Sequence, residues 1–510
     1  MIFSGITIAF FTFLSRIFGL ARELFIASLF GASSTADSVN VAFKLPNLFR
    51  RIFGEGALSS VFIPIFNERM LQSKDAARNF TGEIFTLLLL TLITLVVLIQ
   101  IFMPFLMFII APGFNEDKEK FDLTVLLCRI SMPYLIFISV TALFGGILNS
   151  VKRFAAFAFS PVLLSIFVIV GTVILQKQLL SSIAICLSLL IAGCAQVLFM
   201  FYCIIKAGLT FPLIFKPSDK DVKKLLLNMG PATISSGAQQ LNLFISQSIA
   251  SFIPGAVSLL SYADRIYQFP LSIIGVTFGT LLLPELSKIY KINDLEQAAQ
   301  VLNKAIKAGL LLSMPAAFGI IALSHPIIHI IYEHGAFTAD DTIKTAQAIS
   351  GFAFGLPAFV LIKILMPIFY ANQDTKTPLK ITLYSLAANT ILNFLLIVPL
   401  GTVGIALGSS AAAWYNVWLL VKYMKKYNDF SLSASMKLFF LKVLCSCGMM
   451  TIAISIINYY YGPYFYSESL FISIMVLTAT ILAGMLVLLL MSLYFRLHKN
   501  FIIKKNENSI

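Results

Sequence analysis

The chain has 510 residues, of which 59% are hydrophobic and only 12% charged, with a formal net charge of +14. A water-soluble domain carries a charged fraction nearer ~25%, so the composition excludes one and points to a protein bathed largely in lipid. The basic excess does not mark a nucleic-acid binder, because it is confined to alternate connections between apolar runs.

A helical crossing of the hydrocarbon core takes roughly 20 apolar residues. At that depth the backbone must satisfy its own polar groups, so the spans are helices. Fourteen are predicted, near 6–30, 36–66, 82–111, 122–149, 155–175, 181–206, 222–253, 256–286, 298–332, 341–371, 378–399, 402–424, 436–461 and 468–494. The first has no basic flank before it and runs into Ser15, Arg16, Gly19 and Arg22, so it reads as a span and not as a cleaved leader. The second carries Arg50 and Arg51 between Pro46 and the pair Gly54 and Gly56. The third leads into Ala111-Pro112-Gly113-Phe114, and the fourth holds Arg129 and Pro133. The eighth carries Asp264 and Arg265, the ninth His325 and His329, the tenth Lys363 and the thirteenth Lys442. The six cysteines all lie in apolar stretches, where a thiol acts as a small hydrophobe. They indicate neither a disulfide framework nor a metal knuckle.

Lysine and arginine crowd the even-numbered connections and the C-terminus, while the other side holds only Lys118, Lys120, Lys177 and Lys344. By the positive-inside rule both termini are cytoplasmic. The chain also repeats itself. Ala111-Pro112-Gly113-Phe114 answers to His334-Gly335-Ala336-Phe337, Pro64 to Pro284, Pro133 to Pro357, and Leu148-Asn149-Ser150 to Ala371-Asn372-Gln373, all at offsets of about 220 to 224 residues. Six spans per repeat give two halves in the same orientation around a central cavity. The expected organisation is an N-lobe over 1–215, a C-lobe over 216–430, and two further spans with a tail over 431–510.

Arginine at a helix centre costs about 2.5–3.5 kcal/mol on insertion scales. Arg16, Arg22, Arg50, Arg51 and Arg265 must therefore face water or counter-ions. Glu23, Asp37 and Glu55 are too few to neutralise Arg16, Arg22, Lys44, Arg50 and Arg51, and the surplus invites an anion. Guanidinium suits a phosphate because it stays ionised and presents a fork of donors. Irregular backbone at Pro46, Gly54 and Gly56 is tolerated where it lines a cavity.

Other chemistry is thin. His325 and His329 have i,i+4 spacing but lack the intervening Glu of a metalloprotease motif. Asp340-Asp341 has no second acidic cluster for a Mg²⁺-diphosphate enzyme. Gly275/Gly279, Gly351/Gly355 and Gly404/Gly408 mark close helix packing, and Glu333 and Asp374 are expected to be solvated. No nucleophile and base stand together, so catalysis, metal and cofactor are not expected. The candidate drivers are the membrane potential or a cation, the latter with Asn389, Asn393 and Asp374 as candidate ligands.

At Ser15-Arg16-x-x-Gly19-x-x-Arg22, Phe30-Gly31-Ala32, Ala36-Asp37, the long run Ala42 to Ala57 (Ala-Phe-Lys-Leu-Pro-Asn-Leu-x-Arg-Arg-x-Phe-x-Glu-Gly-Ala) and Tyr262-Ala263-Asp264-Arg265, the sequence resembles the MurJ (MviN) family of lipid II flippases. The resemblance covers the whole chain. It implies the all-α fold of the multidrug/oligosaccharidyl-lipid/polysaccharide exporter superfamily, with two six-helix lobes around a cationic cavity plus two C-terminal helices. It also implies a substrate, undecaprenyl-diphosphate carrying the disaccharide pentapeptide of peptidoglycan, taken from surrounding membrane lipid. By position, Arg16, Arg22, Arg50 and Arg265, with Arg51 beside them, match the diphosphate-binding cavity. Ser15, Glu23, Asp37, Asn47, Glu55 and Asp264 match polar cavity or gating positions. Spans thirteen and fourteen match the pair that cradles the polyprenyl tail, and Glu23 stands where many relatives have Asp. A flippase for another polyprenyl-diphosphate sugar would use the same arginines. A drug/cation antiporter would present acids and aromatics instead, and an intramembrane enzyme would turn the lipid over chemically.

Overall fold

The computed structural model describes residues 2–50, 57–215, 240, 244–427 and 434–497, and every regular element among them is helical. In chain order these are α1 (Ile2–Phe30), α2 (Ser34–Arg50), α3 (Ala57–Gln72), α4 (Lys74–Ile101), α5 (Met103–Ile110), α6 (Lys118–Ser131), α7 (Tyr134–Ser150), α8 (Phe154–Leu175) and α9 (Ser181–Lys206). A helical stretch over 244–250 precedes α10 (Ala256–Lys291), α11 (Leu295–Ala322), α12 (Ser324–Tyr332), α13 (Ala339–Ala371), α14 (Lys376–Met424), α15 (Ala434–Phe465) and α16 (Leu470–Tyr494). Ten helices among the described residues are long and apolar enough to cross a membrane. Their burial tells them apart: 72% of the most apolar window of Ala339–Ala371 is inside the protein, but only 11% of that of Leu470–Tyr494. The first is the central helix of its unit; the second gives its apolar surface to lipid.

Two features refine the predicted spans. α14 is a hairpin, not one long rod. Gly401 adopts φ 56° and ψ −132°, and side chains on Gly404 and Gly408 would strike the Leu396 carbonyl and the Asn393 amide of the first arm. The predicted spans 378–399 and 402–424 are its two arms. In contrast, the predicted spans 82–111 and 298–332 each break near one end, at Phe102 and at Leu323. Pro104 and Pro326 lie just inside the short helices that follow, where proline's missing N–H costs nothing. The helices beginning at Lys74, Met103 and Lys118 recur as those beginning at Leu295, Ser324 and Ala339, an offset of 221 each time (295 − 74, 324 − 103, 339 − 118).

The chain forms two compact units, Met1–Ser258 and Leu259–Ile510. The first packs Phe62, Phe80 and Phe144 with Ile147 and Met200. The second packs Leu286, Leu302, Ile364 and Phe369, and α15 and α16 dock on α11 and α12 through Met450, Ile454 and Phe465 against Leu323 and Ile330. In a bilayer such contacts gain van der Waals packing, and small residues bring backbones close. Gly351 and Gly355 meet Ala406 and Ser410, and the Ser410 hydroxyl donates to the Gly351 carbonyl at 2.6 Å. Gly279, by contrast, faces open space, so the Gly275/Gly279 pair is no packing motif.

The turn between α13 and α14 lies outside the spans. There Asp374 accepts from the Thr377 N–H (2.9 Å) and hydroxyl (2.6 Å), the Lys376 N–H (3.1 Å) and the Tyr427 hydroxyl (2.5 Å). These donors, the Thr377 hydroxyl foremost, hold its carboxyl down at about 2, while burial and Asp374 push the Tyr427 phenol up to about 12. A depressed carboxyl stabilises above its ordinary value of 3.8 and loses that contribution as pH falls through about 2. The melting-temperature gap between the wild type and Asp374→Asn should therefore stay constant from pH 8 to pH 5 and narrow only in strong acid. A gap already closing near pH 6 would contradict this assignment.

Candidate substrate-binding site

α2 starts with Ser33, whose hydroxyl accepts the Ala36 N–H at 3.2 Å, and it carries Asp37 in its first turn and Arg50 in its last. At its far end the Asn47 amide donates to the Phe43 carbonyl (3.0 Å), which turns the Asn47 oxygen to the Arg50 Nε (3.4 Å). On α1, an Arg22 Nη stands 3.6 Å from a Glu23 carboxylate oxygen, both side chains largely buried. Tyr134, at the start of α7, has a fully buried side chain. The Tyr134 hydroxyl donates to the Gln196 oxygen (3.3 Å), and the Gln196 amide donates to the Ser160 carbonyl and hydroxyl (2.9 Å each). Any side chain at Gly193 would press on this ring at 2.7 Å. The structure thus holds Arg22 beside Glu23 and Arg50 beside Asn47, while Tyr134, Gln196 and Ser160 form a buried polar chain.

Arg16 is exposed on α1, and the Ser15 hydroxyl donates back to the Thr12 carbonyl at 2.8 Å. Gly19, one turn from both Arg16 and Arg22, has no described residue within 4 Å of where its side chain would be. Among the described residues, nothing covers the helix face between these arginines. Arg51 and Glu55 lie outside the described residues.

Asp37 is placed elsewhere. Thirteen residues along α2 separate it from Arg50, about 20 Å of helix. It is fully buried and its oxygens accept from Lys120 Nζ (2.8 Å), the Gly255 N–H (2.8 Å), and the Ser258 N–H (2.9 Å) and hydroxyl (2.7 Å). Gly255 and Ser258 flank the first turn of α10, so this carboxylate caps that helix and meets the positive end of its dipole. Lys120 also sits 3.9 Å above the Phe114 ring. The loop carrying Phe114 is fixed by the Gly113 N–H donating to the Ser251 hydroxyl (2.9 Å), and a side chain on Gly113 would stand 2.5 Å from the Phe252 backbone. The motif Ala111-Pro112-Gly113-Phe114 thus serves a close backbone contact beneath a carboxylate clasp.

In the second unit Arg265 is exposed, about two and a half turns into α10, and neighbouring Asp264 accepts the amide of Gln268. Arg265, Gln268, Ser272 and Gly279 share one helical stripe, and no described residue lies within 4 Å of where a Gly279 side chain would be. His329 Nδ1 is 2.8 Å from Glu333, which also accepts the Thr342 hydroxyl at 2.6 Å, while His325 Nδ1 pairs with the Tyr466 hydroxyl at 2.9 Å. Glu333 lies just past α12, outside the spans. Burial pushes its carboxyl up, but the bonds from Thr342 and His329 and the nearby imidazoles outweigh this and hold it below its ordinary value. Glu333 is a link in a hydrogen-bonded set, not a solvated end.

The family described as "Lipid II flippase MurJ" matches residues 26–497. The chain is 63% identical over 481 residues to the probable lipid II flippase MurJ of Rickettsia prowazekii (strain Madrid E), covering 94% of this chain and 95% of that one. It is 38% identical over 500 residues to the probable lipid II flippase MurJ of Rhizobium tropici, covering 96% and 92%. A solved structure of lipid II flippase MurJ in an inward closed conformation superposes with a TM-score of 0.80 at 29% identity over 96% of this chain and 99% of that one. An inward-facing MATE transporter of the MOP superfamily shares the fold, with a TM-score of 0.68 at 16% identity over 81% and 94%. The chain is a multi-pass membrane protein of all-α architecture and belongs to the MurJ family of lipid II flippases, a family of transporters and not of enzymes.

Proposed function

We propose that this chain carries lipid II from the cytoplasmic to the outer leaflet of the bacterial cytoplasmic membrane, and that the arginines hold its diphosphate. The observation that carries this reading is a pair of arginines held by polar neighbours within apolar helices, Arg50 by the Asn47 oxygen and Arg22 beside Glu23, with no described neighbour over the helix face at Gly19. In this reading fourteen spans, with both termini cytoplasmic, form an N-lobe, a C-lobe bearing Arg265, and two further helices for the polyprenyl tail. In charge Arg51 adds to the cationic surplus, and Ser15, Glu23, Glu55 and Asp264 tune it. Asp37 acts apart from the arginines, as a latch at the end of α2 where Lys120 lies.

The diphosphate neutralises repulsion among the arginines, so it binds more tightly to the state in which they are closest. That difference in affinity shifts the protein toward closure and commits it to turn over. Purified protein in proteoliposomes tests this, with lipid II offered against the same polyprenyl diphosphate bearing an unrelated sugar, with and without an imposed potential. Selective translocation of lipid II is expected. Equal transport of both lipids would make it a general polyprenyl-diphosphate flippase, and chemical conversion of either would make it an enzyme.

A further inference from the structure

Pro46 lies inside α2 and has no N–H, so the carbonyl four residues earlier, that of Ala42, loses its regular helical donor. Ala42 is fully buried, and an unpaired carbonyl at that depth is costly. The hydroxyl of Ser131, the last residue of α6, reaches across and donates to the Ala42 carbonyl at 2.8 Å. Ser131 is itself fully buried. Its alternative acceptor is the Cys128 carbonyl of its own helix, at 3.2 Å, but that oxygen already receives the Met132 N–H at 2.9 Å. The hydroxyl is therefore needed at Ala42 and redundant at Cys128. One residue after the proline, Asn47 resumes the helical pattern from its side chain and orients Arg50.

We propose that Ser131 is a positioning residue for Arg50: its hydroxyl replaces the hydrogen bond that Pro46 deletes, keeps α2 continuous there, and so sets the guanidinium one turn beyond. When α2 bends at Pro46 the hydroxyl falls back on Cys128 without losing a bond, and only the Ala42 carbonyl must find water. The bend is thus gated by hydration of that carbonyl. The link to transport rests on the function proposed above, whereas the link to helix geometry does not.

The test uses the full-length protein with two readouts, lipid II translocation in proteoliposomes and hydrogen–deuterium exchange of the amides of 43–50. Ser131→Ala should slow translocation about tenfold, equivalent to ~1.4 kcal/mol, and should speed exchange in that segment. Ser131→Thr, which keeps the hydroxyl, should change neither. In the Pro46→Ala background the restored N–H makes the hydroxyl dispensable, so adding Ser131→Ala there should not speed exchange further. Unchanged exchange in Ser131→Ala, or an equal increase with and without Pro46, would overturn the proposal. If the wild type failed to move lipid II the functional reading would fall, and the exchange measurements would still decide the role of Ser131.

Discussion

Arg50→Ala is expected to reduce lipid II translocation by about two orders of magnitude while leaving the protein folded, whereas Arg22→Ala should cut translocation as far and also lower the melting temperature, because it takes a partner from the largely buried Glu23 carboxylate. A hydrogen bond to a charged partner is worth about 1.5–3 kcal/mol, and a forked guanidinium can make two to one phosphate group. Losing one fork therefore removes enough binding energy for a loss of this size. Stability should hold because Arg50 is only half-buried and Asn47 keeps its bond to Phe43 without it. Arg50→Lys is the sharper variant. It preserves the charge but has neither the Nε that meets the Asn47 oxygen nor the fork, so partial activity is expected. Because both arginines are proposed to hold one diphosphate, the double variant should lose less than the sum of the two. Translocation and binding of lipid II by each purified variant check this, and wild-type rates in both single variants would remove the diphosphate from the arginines.

The contrast between Arg50 and Asp37 shows what was legible in the sequence. Arginines inside apolar spans announce themselves because the insertion cost is large and local. The duplication was legible too, since proline and glycine punctuation survives at fixed offsets and reappears as helix starts 221 residues apart. Asp37 could be counted only against its neighbours in sequence, where it offsets an arginine. Its actual partners are 83 and 221 residues away, and no periodicity within α2 points to Lys120 or Ser258. With Asp37 committed to Lys120, the cationic surplus around Arg22 and Arg50 is larger than the sequence count allowed. Tyr134, Gln196 and Ser131 escaped for a related reason: a buried hydroxyl or amide looks like any other small polar residue in a span until the group it satisfies is seen. Pro46 was a partial signal, since it implies an orphan carbonyl at Ala42 but not which residue answers it.

Asp37→Ala is expected to be the most damaging single change at the far end of α2, and Lys120→Met distinctly milder. Removing one member of a buried ion pair costs about 3–5 kcal/mol because the other charge is left unsolvated. The two losses are not equivalent. Without Lys120 the carboxylate keeps the Gly255 N–H and both Ser258 donors. Without Asp37 the ammonium keeps, among the described residues, the Phe114 ring as its one recorded neighbour of favourable charge, and the first turn of α10 loses its cap. The double variant Asp37→Ala with Lys120→Met should therefore be more stable than Asp37→Ala alone, an inversion that additive effects cannot give. Thermal unfolding in detergent reads the stability order. A thiol-reactive probe at a cysteine introduced beside Ser258 in an otherwise cysteine-free protein reads whether that end has opened. A latch predicts faster labelling in Asp37→Ala at temperatures where the protein is still folded, with recovery in the double variant. If Asp37→Ala lowered stability but left labelling unchanged, the clasp would be a structural cap on α10 and the opening of that end would be governed elsewhere.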